Sequence, residues 1–185
     1  MGKLVMVTGG SASGKSQFSE KLVREMESSL PEPKITYVAT AEIYDAEIQN
    51  RVDRHVERRP QHWDTVEACH DLGTALTKLV STEDIILLDS VSMYLSNKLL
   101  AADIDELSVS ETISNSCDEF SKCIDYIKNE KATVVMVTDE VGWGLVPTEF
   151  LGRAFKDLVG EVNQLIAKRS DEAYLVVSGL AQKLK

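Results

Sequence analysis

One short segment near the N-terminus restricts the fold of this chain more than any other feature of its sequence. Residues 9–16 read GGSASGKS and fit the pattern G-x-x-x-x-G-K-[ST]. The segment follows an apolar run at residues 3–8, which predicts a buried parallel strand, and precedes a helical pattern over residues 14–30. In this setting backbone N–H groups and the positive end of the helix surround phosphate groups, Lys15 reaches the β- and γ-phosphates, and the Ser16 hydroxyl binds Mg²⁺. We therefore predict a phosphate-binding loop rather than a glycine-rich turn that only caps a helix. Its members are Gly9, Gly10, Ser11, Ala12, Ser13, Gly14, Lys15 and Ser16.

The rest of the chain alternates between strand and helix patterns. Further strands are predicted at residues 35–40, 64–69, 84–89, 132–138 and 173–178. Helices are predicted over 43–58 and 72–80, from residue 90 to about residue 100, and over 110–129 and 148–168, with an acidic break at 103–106. Such alternation predicts an α/β fold with a mostly parallel sheet covered by helices on both faces, and ligands at the carboxyl ends of the strands. A length of 185 residues allows one hydrophobic core, so residues 1–185 are predicted to form a single domain.

Charge and composition exclude several classes of protein. The 30 Asp and Glu residues exceed the 20 Lys and Arg residues and give a net charge of −10, which disfavours binding to nucleic acids and anionic membranes. No apolar run approaches the ~20 residues needed to cross a bilayer, and the N-terminus does not resemble a signal peptide. The three cysteines form no CxxC pair and predict buried thiols in a reducing compartment. A cytoplasmic protein is expected, in which a small anion can still bind at a local positive pocket.

Acidic residues follow two of the predicted strands. Asp89 ends the strand at 84–89, where proteins with a phosphate-binding loop place the carboxylate that holds Mg²⁺. An Asp that only ends the strand or caps the next helix is the alternative. Asp139 and Glu140 follow the strand at 132–138. One or both face the cleft, as a base or as a contact to a residue that binds the metal, or both are solvent-facing acids. Of these, Glu140 is a weaker candidate base for a kinase reaction.

Basic residues of this acidic chain concentrate in residues 51–63 (RVDRHVERRPQHW), with four arginines in nine residues. Such a cluster suits phosphate groups, and His55 within it suits the role of nucleophile or base near neutral pH. The alternative is a solvated helix face on which His55 flanks an apolar stripe. His62 and His70 match no metal-ligand spacing and are predicted to be structural. The only Asn-Lys pair, at residues 97–98, is followed by two leucines, so the guanine-reading Asn-Lys-x-Asp of a switch GTPase is missing.

Five sequence blocks, taken together, resemble one known family. They are VTGGSASGKS at the start, YVAT at 37–40, RH followed by RRPQHW around residue 55, TDEVGWGLVP at 138–147, and VNQLIA with LVVSGLAQKLK at the end. On these blocks the sequence resembles the bifunctional adenosylcobinamide kinase and adenosylcobinamide-phosphate guanylyltransferase of cobalamin biosynthesis. The resemblance implies a RecA-like P-loop NTPase fold and two reactions. ATP or GTP phosphorylates the aminopropanol hydroxyl of adenosylcobinamide, and GMP is then transferred from GTP to give adenosyl-GDP-cobinamide.

The resemblance also implies which residues act. The guanylyl group is carried on a histidine that aligns with His55, and Lys15 is expected to be catalytic with it. Mg²⁺ is expected on Ser16 and Asp89. A nucleotide and a corrinoid would be the substrates, and the assembly would be a homotrimer. Beyond the phosphate-binding loop, the implied nucleotide contacts are Ala39, Thr40, Ala41, Val56, Glu57, Arg58, Arg59, Glu67 and Asp89.

The chain departs from the family pattern close to His55. Many members have two adjacent histidines, and here the first is Arg54; the following position, often Lys, is Val56, and a frequent Gly is Arg58. The carboxylate after the third strand, often Glu, is Asp89. These changes keep the nucleophile and alter the side chains that neutralise phosphates.

Two other functions are compatible with the motifs alone. One is a P-loop kinase of another small molecule, in which His55 is structural. The other is a nucleotide-binding module without catalytic activity, which works through a partner.

Overall fold

A seven-stranded sheet runs through the centre of the protein in the computed structural model, which describes residues 1–102 and 108–185. The strands are β1 (Lys3–Gly9), β2 (Ile35–Ala39), β3 (Asp64–Glu67), β4 (Ile85–Asp89), β5 (Thr133–Asp139), β6 (Glu172–Val177) and β7 (Leu180–Lys183). The helices are α1 (Lys15–Glu27), α2 (Ala46–Arg58), α3 (Leu72–Leu79), α4 (Val91–Ala101), α5 (Val109–Asn129) and α6 (Phe150–Arg169). The predicted acidic break at residues 103–106 lies outside the described residues, as does the side chain of Arg51.

The order of strands across the sheet is β3-β2-β4-β5-β1-β6-β7, and every pair is parallel except β6 with β7. The register sets Gly9 of β1 beside Asp139 of β5, and Ala39 of β2 beside Asp89 of β4. Because parallel strands end at the same edge, the phosphate-binding loop and both predicted acids lie along it. The predicted α/β fold with a mostly parallel sheet is confirmed.

Helices cover both faces of the sheet. In β1, Leu4 and Met6 pack in the core formed with α3, α4, α5 and α6, whereas Val5 and Val7 pack on the opposite face, in the core that contains Val23 of α1. Strands that are buried on both faces are apolar at every position, which is why β1, β4 and β5 have no polar alternation.

Several element boundaries differ from the prediction by a few residues, and one strand is new. Helix α2 begins at Ala46 rather than residue 43, because the Asp45 carboxylate accepts a hydrogen bond (2.8 Å) from the N–H of Ile48 and caps the helix. Strand β7 was not predicted. It follows a two-residue turn at Ser178 and Gly179, both with positive φ, as is typical of tight hairpins. All four residues of β7 are exposed, so no buried face gives it an alternating pattern.

Cysteine burial agrees with the prediction only in part. Cys123 is buried, whereas Cys69 and Cys117 are half-buried. Burial raises the pKa of the Cys123 thiol to about 12, so this thiol stays protonated near neutral pH. Among the described residues, no helix combines the length and the apolar composition that a membrane span requires.

Phe120 is a fully buried aromatic residue of α5, with its ring centroid 6.1 Å from that of Tyr94. We expect Phe120→Ala to lower the free energy of unfolding by about 3–5 kcal/mol, because it removes buried apolar surface and leaves a cavity. Tyr126→Ala on the same helix is the control; its side chain is 51% exposed, and the expected change is below about 0.5 kcal/mol. Urea denaturation measures both, and equal losses for the two variants would contradict this packing.

Candidate active site

The phosphate-binding loop is held in one shape by its neighbours. Gly14 adopts a φ of 93°, a conformation that residues with a Cβ rarely tolerate, and a Cβ at Gly9 would lie 2.4 Å from the carbonyl oxygen of Val176. The carbonyl of Ser13 accepts a hydrogen bond (2.8 Å) from the N–H of Gly179 in the β6–β7 turn. The hairpin that the sequence did not predict therefore supports the loop.

Two adjacent cavities open at this edge of the sheet. The first, which we call the phosphate-loop cavity, is lined by residues 11–17 with Arg54, His55 and Arg58. The second, which we call the carboxylate cavity, lies next to it and shares Lys15, Ser16 and His55. Its other lining residues include Tyr37, Ala39, Ala41, Ile48, Val52, Arg59, Asp89, Ser92, Met93, Asp139 and Phe155. The structure thus brings together the predicted histidine, the loop and the two strand-end acids.

Lys15 lies at the start of α1 and is only 5% exposed. Its Nζ lies 2.5 Å from Oδ1 of Asp139 and donates a hydrogen bond (3.2 Å) to the carbonyl oxygen of Gly10. Asp139 is itself held in place, because the Ser92 hydroxyl donates to its Oδ2 (2.5 Å) and the Asn163 amide donates to its backbone carbonyl (2.9 Å). The lysine predicted to reach phosphates is therefore paired with a strand-end carboxylate.

Asp89 ends β4 and contacts three side chains from other elements. Its Oδ2 accepts a hydrogen bond (3.1 Å) from the Tyr37 hydroxyl and lies 3.6 Å from Nδ1 of His55, and Ser16 is close enough to lower the pKa of the carboxyl group. Burial raises the pKa of Asp89, but the proximity of His55, Ser16 and Tyr37 outweighs it and leaves the pKa below its ordinary value. Asp89 is therefore ionised near neutral pH.

His55 lies in the last turn of α2, and its side chain is 20% exposed. Arg59 fixes this end of the helix: its Nε donates to the His55 carbonyl (3.4 Å) and its Nη1 to the Thr65 hydroxyl (3.0 Å). The Arg59 guanidinium also lies 3.8 Å from the ring centroid of Tyr37, a cation–π contact. The structure therefore places His55 between two cavities and not on a solvated helix face.

Two further arginines line the phosphate-loop cavity. The Arg58 Nη2 donates to Oε1 of Glu20 (3.2 Å), while its Nε is buried without a hydrogen-bond partner among the described residues. Arg54 is exposed, and its Nε donates to a backbone carbonyl one turn earlier (3.2 Å). The Ser13 hydroxyl is likewise buried without a partner in the described part of the chain. Because buried unpaired donors are rare, a cavity lined by two of them and by Lys15 suits a polyphosphate.

The other predicted nucleotide contacts fall into two groups. Ala39 and Ala41 line the carboxylate cavity, whereas the Thr40 side chain is buried and hydrogen bonds to the backbone of Ser90. Ser90 also caps α4, so Asp89 is not the cap of that helix, although it does end β4. Three predicted contacts are exposed and line neither cavity: Val56, Glu57 and Glu67.

The remaining histidines contact surface glutamates and line neither cavity. His62 Nε2 lies 2.5 Å from Glu27, and His70 Nε2 lies 3.1 Å from Glu42. The indole N–H of the buried Trp63 donates to the same Glu27 (3.3 Å). These contacts are compatible with the structural role predicted for both histidines.

Several side chains of the site were not identified from the sequence, among them Tyr37, Ser92, Phe155 and Asn163. Tyr37 and Asn163 belong to the YVAT and VNQLIA blocks that carry the family resemblance, so a signal for them was available. Ser92 and Phe155 lie in helices α4 and α6, where no local pattern distinguishes a site residue from an ordinary helix position.

Comparison with known proteins shows the family of the chain. A family model described as cobinamide kinase / cobinamide phosphate guanyltransferase matches residues 5–184. The chain is 37% identical to the bifunctional adenosylcobalamin biosynthesis protein CobU of Salmonella typhimurium, over 98% of this chain and 99% of that protein. It is 34% identical to CobU of Escherichia coli with the same coverage. The bifunctional adenosylcobalamin biosynthesis protein CobP of Pseudomonas aeruginosa is 31% identical over 97% of this chain and 96% of that protein.

A solved structure supports the fold. The flagellar accessory protein FlaH from Methanocaldococcus jannaschii superposes with a TM-score of 0.53 and 16% identity, over 99% of this chain and 78% of that chain. With the phosphate-binding loop after β1 and with β5 between β1 and β4, the fold is that of a P-loop NTPase with a RecA-like sheet. Because the family model spans almost the whole chain and full-length relatives exceed 30% identity, the chain belongs to the family of bifunctional cobinamide kinases and cobinamide phosphate guanylyltransferases.

Proposed function

We propose that this enzyme phosphorylates the hydroxyl of cobinamide and then transfers GMP from GTP to cobinamide phosphate by way of a guanylyl group on His55. The observation that carries the proposal is the position of His55, which lines the phosphate-loop cavity and contacts Asp89 through Nδ1. A histidine oriented by a carboxylate beside a triphosphate site is arranged as a nucleophile.

Guanylylation of the enzyme is the first half of the transfer. With Nδ1 toward Asp89, the Nε2 lone pair of His55 attacks the α-phosphorus of GTP, the bond to the bridging oxygen breaks, and pyrophosphate leaves. The new N–P bond places positive charge on the imidazole, which the ionised Asp89 stabilises across 3.6 Å. Lys15 and Arg58 stabilise the negative charge of the phosphate oxygens.

Transfer to the acceptor reverses this charge change. A phosphate oxygen of cobinamide phosphate attacks the guanylyl phosphorus, the N–P bond breaks, and the electron pair returns to Nε2 of His55. The imidazole is then neutral again and ready for another GTP.

In the kinase reaction the same loop presents a γ-phosphate to the cobinamide hydroxyl. Asp139 is better placed than Glu140 to accept the hydroxyl proton. Asp139 lines the carboxylate cavity beside Lys15, whereas the Glu140 carboxylate accepts a hydrogen bond (2.7 Å) from the N–H of Gly142. The structure therefore favours Asp139 over the weaker sequence-based candidate.

Ser16 and Asp89 fit Mg²⁺. They offer the hydroxyl and carboxylate oxygens that this ion prefers, and both line the carboxylate cavity. Among the described residues, no group of three or more His, Cys, Asp and Glu side chains could hold a metal. An ion held by Ser16 and Asp89 would take its other ligands from substrate phosphates and water. Bound there, Mg²⁺ neutralises charge on the phosphate oxygens.

Removing the Asp89 carboxylate tests that assignment. We expect Asp89→Asn to raise the Mg²⁺ concentration for half-maximal kinase activity by about tenfold or more, since the charge is lost from one of two protein ligands. Asp157→Asn, an exposed acid of α6, is the control and should leave the Mg²⁺ dependence unchanged. Initial rates over a series of free Mg²⁺ concentrations, with EDTA as the zero point, give the result. An unchanged Mg²⁺ dependence in Asp89→Asn would remove this residue from the metal site.

Labelled nucleotides test the function as a whole. GTP labelled in the α-phosphate should give acid-labile label on the protein, and GTP labelled in the γ-phosphate should not. Adding cobinamide phosphate should discharge the α-label. Phosphorylated cobinamide without protein label would leave only the kinase, with His55 structural. Nucleotide binding without either product would support the non-catalytic module.

The remaining expectations from the family resemblance stay predictions. They are a homotrimer, a cytoplasmic location, and ATP or GTP as the phosphoryl donor. Sedimentation equilibrium tests the first, and kinase rates with each nucleotide test the last.

A further inference from the structure

An uncharged, exposed apolar loop follows β5 at the edge of the sheet that carries the site. Residues 141–148 read VGWGLVPT and contain no charged side chain, although 27% of the chain is charged. Trp143 is 74% exposed, Leu145 96% and Val146 72%. Three large apolar side chains exposed next to one another differ from the scattered single residues of an ordinary surface. We call residues 141–148 the apolar loop.

Polar bonds hold the apolar loop in a defined shape. The Lys156 Nζ donates to the carbonyl of Gly144 (3.1 Å), and Arg153 Nη1 donates to the carbonyls of Pro147 (3.3 Å) and Thr148 (2.5 Å). Val141 at its start packs against the core. These bonds restrain the backbone of the loop, while its apolar side chains remain exposed to solvent. This arrangement makes the side chains available to a ligand.

The loop lies close in sequence to two residues that line the carboxylate cavity, Asp139 and Phe155. It begins two residues after Asp139, which pairs with Lys15, and it is tied to α6 next to Phe155, which lines that cavity. A ligand that extends out of the carboxylate cavity past Phe155 would reach the apolar loop.

We propose that the apolar loop binds the corrin ring of the acceptor, with Trp143 and Leu145 against the face of the macrocycle; this rests on the proposed function. A cobinamide acceptor must place one hydroxyl or phosphate at Lys15 and Asp139, while its broad, largely apolar ring remains outside a cavity of about 160 Å³. An aromatic ring and uncharged neighbours suit the face of such a macrocycle. The absence of charge on the loop avoids the desolvation of ionised groups that ring binding would otherwise cost.

A second copy of the chain is the competing occupant. A stable interface between proteins takes about 20–30 residues on each side. The apolar loop offers eight residues, of which three are large and exposed. Its size matches one macrocycle better than a subunit interface.

The test compares cobinamide binding with a step that involves no corrinoid. Trp143→Ala and Leu145→Ala are expected to weaken cobinamide binding, measured by equilibrium dialysis and corrin absorbance, by about tenfold or more. Trp143→Tyr should recover most of the affinity, because it restores an aromatic face. Labelling of the protein from α-labelled GTP without cobinamide should remain at the wild-type level. Leu30→Ala is the matched control: Leu30 is 44% exposed and follows the end of α1 remote from the phosphate-binding loop.

Four results would overturn the proposal. If Trp143→Ala binds cobinamide with unchanged affinity, the corrin ring does not bind the apolar loop. A smaller assembly of that variant in sedimentation velocity makes the loop a contact between copies. Loss of GTP labelling in the variant means that the loop supports the nucleotide site or the fold. If the wild-type protein is labelled by GTP but does not bind cobinamide, the assignment of the loop to the corrin ring is wrong. If the wild-type protein is not labelled at all, the proposed guanylyl transfer is wrong.

Discussion

Replacing His55 with asparagine is expected to abolish protein labelling from α-labelled GTP and to lower guanylyl transfer by at least about 10³-fold. Asparagine keeps a polar group near Asp89, with Nδ2 in place of the ring Nδ1, but it has no lone pair able to attack phosphorus. The Asp89 carboxylate, which faces the ring at 3.6 Å, has then no cationic intermediate to stabilise. Quantitative labelling of the purified protein measures the loss.

The same variant separates the two reactions. Phosphorylation of cobinamide needs no nucleophilic histidine, so the kinase rate of His55→Asn should fall less than about tenfold. His62→Asn is the control, since His62 is a surface residue paired with Glu27 and should behave as wild type in both assays. Retention of α-label in His55→Asn would place the guanylyl group on another residue.

Lys15→Ala is expected to lower both reactions by about 10²–10³-fold, because the loop loses the cation that stabilises charge on the transferring phosphoryl group. The effect differs from that of His55→Asn, which spares the kinase. Lys15 is 5% exposed and paired with Asp139 at 2.5 Å, so its ammonium is preorganised at the edge where phosphates bind.

Steady-state rates with saturating and subsaturating GTP measure the Lys15 effect in both assays. The control is Lys21→Ala on the same helix; Lys21 is a surface lysine whose side chain is 74% exposed. A loss confined to the kinase reaction would show that the guanylyl transfer does not use the phosphate-binding loop.

Much of the fold follows from local patterns. Each of β1, β4 and β5 is a short apolar run, buried on both faces, that ends in a glycine or an acid, so its existence, its end and its neighbours in the α/β order can be read from adjacent residues. The phosphate-binding loop is predictable for the same reason, since its eight residues act as one backbone turn between a strand and a helix.

Local sequence patterns do not predict which side chains contact each other. Asp139 and Glu140 are neighbours of the same type, and nothing local tells that Asp139 pairs with Lys15 while Glu140 caps the N–H of Gly142. The choice depends on strand register: Gly9 of β1 lies beside Asp139. Register between strands 130 residues apart in sequence is set by packing of the whole sheet.

By itself the sequence determined the class of fold, the phosphate-binding loop and, through its resemblance blocks, the family and the choice of His55. Spacing within a few residues specifies the fold class and the loop, whereas the family and His55 follow from the resemblance. Only the tertiary structure decided that His55 faces Asp89, that Lys15 is held by Asp139, that the β6–β7 turn supports Ser13, and that the apolar loop opens beside the site. These are contacts between side chains and backbone groups far apart in sequence, and they exist only where the packed sheet brings its strand ends to one edge.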